Sequence, residues 1–312
     1  MSHSKDATQK VLLACKDIFA DVINVFIFSG DEKVKAEDLE PFETPVSIYT
    51  AEKGDIHSQE RDLGMYWKDG NIGLQIAEFG IENQTEPDPK MPLRIISYDG
   101  ARYRNQLNTR KDNYYPIITL VLYYGTKEWP SETCYLHNIL NINDDLKPYV
   151  SDYKINVFDI NKLTEEQLDK FKTEVANYFG FVISKNNKTK YTPINRTIKH
   201  GEELMNAITA YAGDNFISEA YNKVQSVNKG GNISMCDVVQ RIQEEGEKIG
   251  IEKGEKIGIE KGEKIGIEKG VQKVIVKMIK EDVPNDQIIK FTGASQSLIN
   301  KLKDELANSK NN

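Results

Sequence analysis

Histidine and cysteine are scarce in this chain of 312 residues, and neither is clustered. The four histidines (His3, His57, His137, His200) and three cysteines (Cys15, Cys134, Cys236) show no metal-ligand or redox spacing, which argues against a zinc centre or a histidine-based triad and suits a reduced, cytoplasmic protein. Membrane-length apolar runs are missing too. Val11–Phe28 is broken by Lys16, Asp17 and Asp21, and Tyr114–Tyr124 is short, so no membrane span is expected. Residues 1–10 are polar, which reads as no signal peptide. The chain also lacks positive charge, with a formal net of −7. Residues 246–270 hold six Lys and six Glu, and residues 271–312 hold seven Lys against five acids, which leaves −9 on the first 245. Any affinity for nucleic acid would therefore have to come from a local patch and a bridging metal, not from overall charge. Arginine is itself rare: of seven, five (Arg61, Arg94, Arg102, Arg104, Arg110) fall within 61–110.

That same segment holds acids in a suggestive arrangement. Lys68-Asp69-Gly70-Asn71 is a hairpin turn signal between strands at about 62–68 and 72–84. Residues two apart on a strand share a face, so Glu82 and Gln84 point the same way, the Asn83 carbonyl lies between them, and Asp62 on the partner strand closes the cluster. Hard oxygen donors of this kind suit Mg²⁺ or Mn²⁺. Glu78 shares the strand face of Glu82 and is either a further acid or a surface glutamate. Asp17 and Asp21, on a polar stripe of an N-terminal helix over 7–28, are candidates for an additional acid or simply a solvated face. Clustered carboxylates repel one another without metal, so removing one is expected to favour the metal-free fold.

The order Asp62, Glu82-Asn83-Gln84, Thr85-Glu86-Pro87-Asp88-Pro89, then Met91-Pro92-Leu93-Arg94 and Tyr98–Arg104 resembles the PD-(D/E)XK nuclease superfamily. More narrowly it resembles the Rpn-type recombination-promoting nucleases, also called YhgA-like putative transposases, across roughly residues 7–230. The resemblance implies a restriction-endonuclease-like α/β core in the order α-β-β-β-α-β, a mixed sheet flanked by helices, with an α-helical C-terminal extension. It also implies a Mg²⁺-dependent DNA endonuclease. In that scheme Asp62, Glu82 and the Asn83 carbonyl hold the metal, and Gln84 orients water where the superfamily usually carries lysine. Since glutamine brings no positive charge, Arg94 or a second metal is expected to supply it. No second catalytic acid lies downstream as in a DDE transposase. The competing reading is a non-catalytic nucleic-acid- or protein-binding relic of a mobile element, acting through its tail.

Elsewhere, the spacing predicts a short strand near Val46–Thr50 and a helix after Pro92. That helix would turn Leu93, Ile96, Gly100, Tyr103 and Leu107 to the core, leaving Arg94, Tyr98 and Arg102 on a neighbouring side for nucleic acid. Ile117–Tyr123 reads as a strand covered on both faces, and Tyr153–Ile160 as another. Residues 164–182 read as a helix capped by Thr164, with further helices at about 200–211 and 214–226. These divisions give a nuclease-like domain over 1–230 (core 7–160, helical part 161–230). A connector over 233–270 follows, with GEKIGIEK three times in register, and then a small helix-turn-helix-like tail over 271–312. Glycine recurs every fourth residue from Gly246 to Gly270. Each costs about 1 kcal/mol against alanine in a helix, so the segment is either a self-associating helix or a flexible spacer, and the helix is preferred. Homo-oligomerisation through 246–306 is expected.

Overall fold

The computed structural model of the protein describes residues 5–42, 46–50, 56–60, 62–70, 74–109, 113–228 and 231–308, without the side chains of 46–50, 56–60 and 307. His3, Arg61, Asn71, Arg110 and the Lys229-Gly230 pair of the expected linker fall outside the described residues. The chain divides into two compact units, Met1–Ile242 and Gln243–Asn312.

The first unit is mixed α/β. It opens with α1 (Lys5–Leu13) and α2 (Lys16–Phe28) where one helix was expected. Cys15 is extended (φ −63°, ψ 121°) and separates them, so it lies between two helices and not on one helix face. Next come β1 (Leu39–Pro41), β2 (Val46–Thr50), β3 (Ile56–Glu60), β4 (Leu63–Lys68) and β5 (Gln75–Gln84). Helix α3 (Met91–Thr109) leads to β6 (Ile117–Tyr123), and α4 (Leu136–Ile139) precedes β7 (Asn156–Asp159). One sheet has the order β1-β4-β5-β6-β7, while β2 and β3 pair in a sheet of their own. The β4/β5 hairpin is antiparallel, and β5, β6 and β7 run parallel. A parallel neighbour needs a crossover connection, which α3 supplies between β5 and β6.

The two faces of the sheet differ chemically. Ala77, Phe79 and Ile81 of β5 join Leu120 and Leu122 of β6 in the main core, which also contains residues of α1 and α2. The opposite face carries Glu78 and Glu82, in register with Ile117 and Val121. Over it lies α3, whose Met91, Ile95 and Tyr98 pack with Val121 and Tyr123. The apolar row expected to face the core is the exposed one: Leu93, Ile96, Tyr103 and Leu107 are 36–65% exposed. The reason is electrostatic. Two glutamates buried on the facing strand need counter-charges, and Arg94 and Arg102 are the helix residues that meet them. Eight helical residues span about 12 Å and four strand residues about 13 Å, so both arginines find a glutamate at once.

The remaining helices of this unit are α5 (Glu165–Lys170), α6 (Val175–Asn187), α7 (Gly201–Ala212) and α8 (Phe216–Val227). Thr164 caps α5 in a reciprocal capping box with Gln167, but the expected helix over 164–182 is two. It stops at Phe171 because the next two backbone N–H groups, of Lys172 and Thr173, turn to the Asp21 carboxylate (2.8–3.0 Å).

Helix α9 (Met235–Lys280) contains the whole repeat. Within 246–270 its isoleucines are 51–68% exposed. An eight-residue repeat turns about 80° further round a helix at each copy, so these side chains wind around it and build no single stripe. In the second unit, Ile275 packs with Ile288 of α10 (Asn285–Thr292) and with Ile299 and Leu302 of α11 (Gln296–Asn308). Gly293 ends α10 at φ +67°, a left-handed conformation that glycine adopts without strain.

Candidate functional site

Among the described residues no strand continues along the edge of β5 beyond the start of β4 at Leu63, and Asp62 lies there. The Asn83 backbone N–H donates to Asp62 Oδ2 at 2.9 Å, and the Asp62 N–H donates to Glu82 Oε1 at 3.2 Å. The two acids are thus held together by backbone bonds, across 20 residues of sequence. A strand residue points its N–H and C=O to the same edge, so the Asn83 carbonyl faces the Asp62 side as well. Glu82 is fully buried (0% exposed). Gln84 is half-buried at the end of β5, where its carbonyl accepts from the Tyr124 N–H at 2.8 Å.

Among the described residues, two cations stand on these acids. Arg94 reaches Glu82 Oε2 at 3.5 Å and Asp88 Oδ2 at 3.2 Å. Lys10 on α1, absent from the sequence-based candidates, reaches Asp62 Oδ1 at 2.9 Å and Asp6 Oδ2 at 2.7 Å. Burial pulls the Lys10 ammonium down, but its bonds to Asp6 and Asp62 outweigh this and hold it above its ordinary pKa. The only local signal for this pair was Asp6 and Lys10 at helical i,i+4 spacing.

Other candidates fall elsewhere. Glu78 is not a surface glutamate: it is fully buried and accepts from Arg102 Nε at 2.6 Å. Arg102 also bonds the Tyr66 hydroxyl and stacks over the Phe42 ring at 4.1 Å. Tyr98 is buried and bonds Arg94 from within. Neither Arg102 nor Tyr98 presents a free surface to a nucleic acid; Arg94, with a side chain 35% exposed, still does. Asp21 is taken up by residues 172–173 and Asp17 by His200 (2.7 Å) and Lys199 (3.7 Å). The acid that the N-terminal helices bring to Asp62 is Asp6, through Lys10.

Spacing along the chain hid one further grouping. Folding brings ligand atoms of Cys15, His200 and Glu203 within 4.8 Å of one another. Burial, then the charges of Glu203, Asp17 and Glu174, push the Cys15 thiol up to about 11, so it is protonated at neutral pH.

No curated protein and no solved structure matches the chain. A family model does, over residues 78–202, a span that takes in Glu82, Gln84 and Arg94 but begins after Lys10 and Asp62. That family is described as "Putative transposase, YhgA-like", so over this span the chain is similar to the family that its motifs resemble.

Proposed function

We propose that the chain is a divalent-metal-dependent DNA endonuclease with a PD-(D/E)XK-type core in which α2, β1, β4, β5, α3 and β6 give the α-β-β-β-α-β order, β1 taking the place expected for the strand at Val46–Thr50, which pairs only with β3 outside this sheet. The observation that carries this reading is the locked pair of Asp62 and Glu82. The donors fit a hard cation: two carboxylates and a backbone carbonyl, all oxygen. The charge fits as well. Among the described residues in contact there, Asp6, Asp62, Glu82 and Asp88 bring four negative charges against the two positive charges of Lys10 and Arg94. The described cluster is thus net acidic, as a cation site needs to be.

When bound, such an ion polarises a phosphoryl oxygen and lowers the pKa of a coordinated water. The chain's own residues do the rest. The Asp62 carboxylate is held by the Asn83 N–H and the Glu82 carboxylate by the Asp62 N–H, so both need little reorganisation. Gln84, on the same strand face as Glu82, orients water through its side-chain amide. Arg94 offers its exposed edge to a phosphate oxygen. The test is cleavage of supercoiled, linear and single-stranded DNA with Mg²⁺, with Mn²⁺ and with EDTA. Cleavage that needs metal supports the reading, and a folded chain that cuts none of these substrates favours the non-catalytic relic.

Two further outcomes follow. Gln84→Ala is expected to lose about 10²-fold in cleavage, as when one oriented hydrogen-bond donor is removed, while binding Mn²⁺ within about twofold of the unaltered chain. Calorimetry showing as large a loss of affinity as Asp62→Ala would make Gln84 a ligand. Self-association is assigned to the repeat and tail, where the exposed isoleucines and glycines lie. A chain ending at Ile242 should keep metal-dependent cleavage per site and show a smaller mass by light scattering. Equal masses would remove the assembly role.

A further inference from the structure

We infer that Lys10 is the cation that the strand motif lacks, placed on α1 instead of on β5 and directed at the phosphate that the site cleaves; this rests on the nuclease reading above. Gln84 stands two positions past Glu82 and carries no charge, so a transition state that gathers negative charge on phosphate oxygens needs a positive group from another element. The candidates in the described site reduce to two. Arg94 is shared between Glu82 and Asp88, and Lys10 between Asp62 Oδ1 at 2.9 Å and Asp6 Oδ2 at 2.7 Å, with 32% of its side chain exposed; of the two, Lys10 stands on the acid at the open edge of β5. Arg102 is committed to Glu78.

Lys10 is held, not loose. Its neighbour Gln9 is 1% exposed and donates through Nε2 to the Tyr178 hydroxyl at 2.7 Å. Leu12 and Leu13, one turn on, are fully buried in the main core. The helix is therefore fixed on one side, while the lysine stem extends to the edge of the site. The extended backbone at Cys15 separates α1 from α2, and α1 is the helix that carries Lys10 to Asp62.

The position has a consequence that a merely structural ion pair does not share. The ammonium sits on a carboxylate oxygen that a divalent ion also needs. It therefore competes with metal in the resting site and stands beside the metal-bound phosphate in the working one. Removing it should strengthen metal binding and weaken cleavage, two changes of opposite sign.

The experiment uses the full chain with Lys10→Met, which keeps most of the apolar stem, and Lys10→Arg, which keeps the charge. Manganese chloride is titrated by calorimetry, and single-turnover cleavage of plasmid DNA is followed at saturating Mn²⁺. Lys10→Met is expected to bind Mn²⁺ about fivefold more tightly, the scale of one part-exposed ion pair, and to cleave about 10²-fold more slowly. Lys10→Arg is expected to recover part of the rate, which separates loss of charge from loss of fold. Unchanged cleavage by Lys10→Met overturns the inference, as does a parallel fall in affinity and rate, or a rate that Lys10→Arg does not raise. If the unaltered chain binds no Mn²⁺, the nuclease reading fails first and the inference with it. If the unaltered chain binds and cleaves while Lys10→Met does both equally well, the inference alone fails.

Discussion

Glu82→Gln is expected to reduce metal-dependent cleavage by about 10³-fold or more, the scale of losing several kcal/mol of metal-borne charge stabilisation. The substitution keeps the shape of the side chain and an oxygen able to accept the Asp62 N–H, so the fold should survive. Circular dichroism and a thermal midpoint establish that, and single-turnover cleavage reads the effect. Cleavage within about tenfold of the unaltered chain would remove Glu82 from the reaction. Asp62→Asn should act in the same direction. The structure also revises what these changes do to stability. Mutual repulsion of the acids suggested a gain, but Asp62 bonds Lys10 and the Asn83 N–H, and Glu82 bonds Arg94 and the Asp62 N–H. With that compensation in place, Asp62→Ala should lower stability.

Arg102→Met should have the largest effect on folding. It leaves the Glu78 carboxylate, fully buried, without the guanidinium 2.6 Å away. Removing one partner of a buried pair costs about 3–5 kcal/mol, because the remaining charge cannot return to water. Replacing both partners, as Glu78→Gln with Arg102→Met, should recover much of that loss. Urea unfolding of the single and double variants measures it. A loss below about 1 kcal/mol for the single variant, or no recovery in the double, would mean that the pair does not hold α3 to the sheet.

How far these features were legible depended on the range of the interaction behind each. The turn signal at 68–71, the continuous apolar run of β6 and the Thr164 capping box are encoded within a few residues, and the strands and the cap stand where those signals lie. The facing of α3 was not legible. Amphipathic spacing assigns arginine to solvent, and only the paired sheet shows that Glu78 and Glu82 are buried beneath that helix and draw Arg102 and Arg94 inward. The break in the helix expected over 164–182 has a cause of the same kind. Lys172 and Thr173 leave their helix for a carboxylate about 150 residues earlier in the chain, a contact that no local window contains. The strand half of the candidate site, Asp62 with Glu82-Asn83-Gln84, followed from the period of two along a strand. The helix half did not, because Lys10 and Asp62 lie 52 positions apart and meet only in the folded chain.

The most direct test of the account is the position of the metal itself. Crystals of the full chain soaked in manganese chloride, with diffraction measured at the manganese absorption edge, should give an anomalous peak coordinated by Asp62 and Glu82, with the Asn83 carbonyl in reach. Lys10 should be displaced from Asp62 Oδ1 in that structure. A peak confined to Cys15, His200 and Glu203, or manganese bound with no ligand from Asp62 or Glu82, would contradict it.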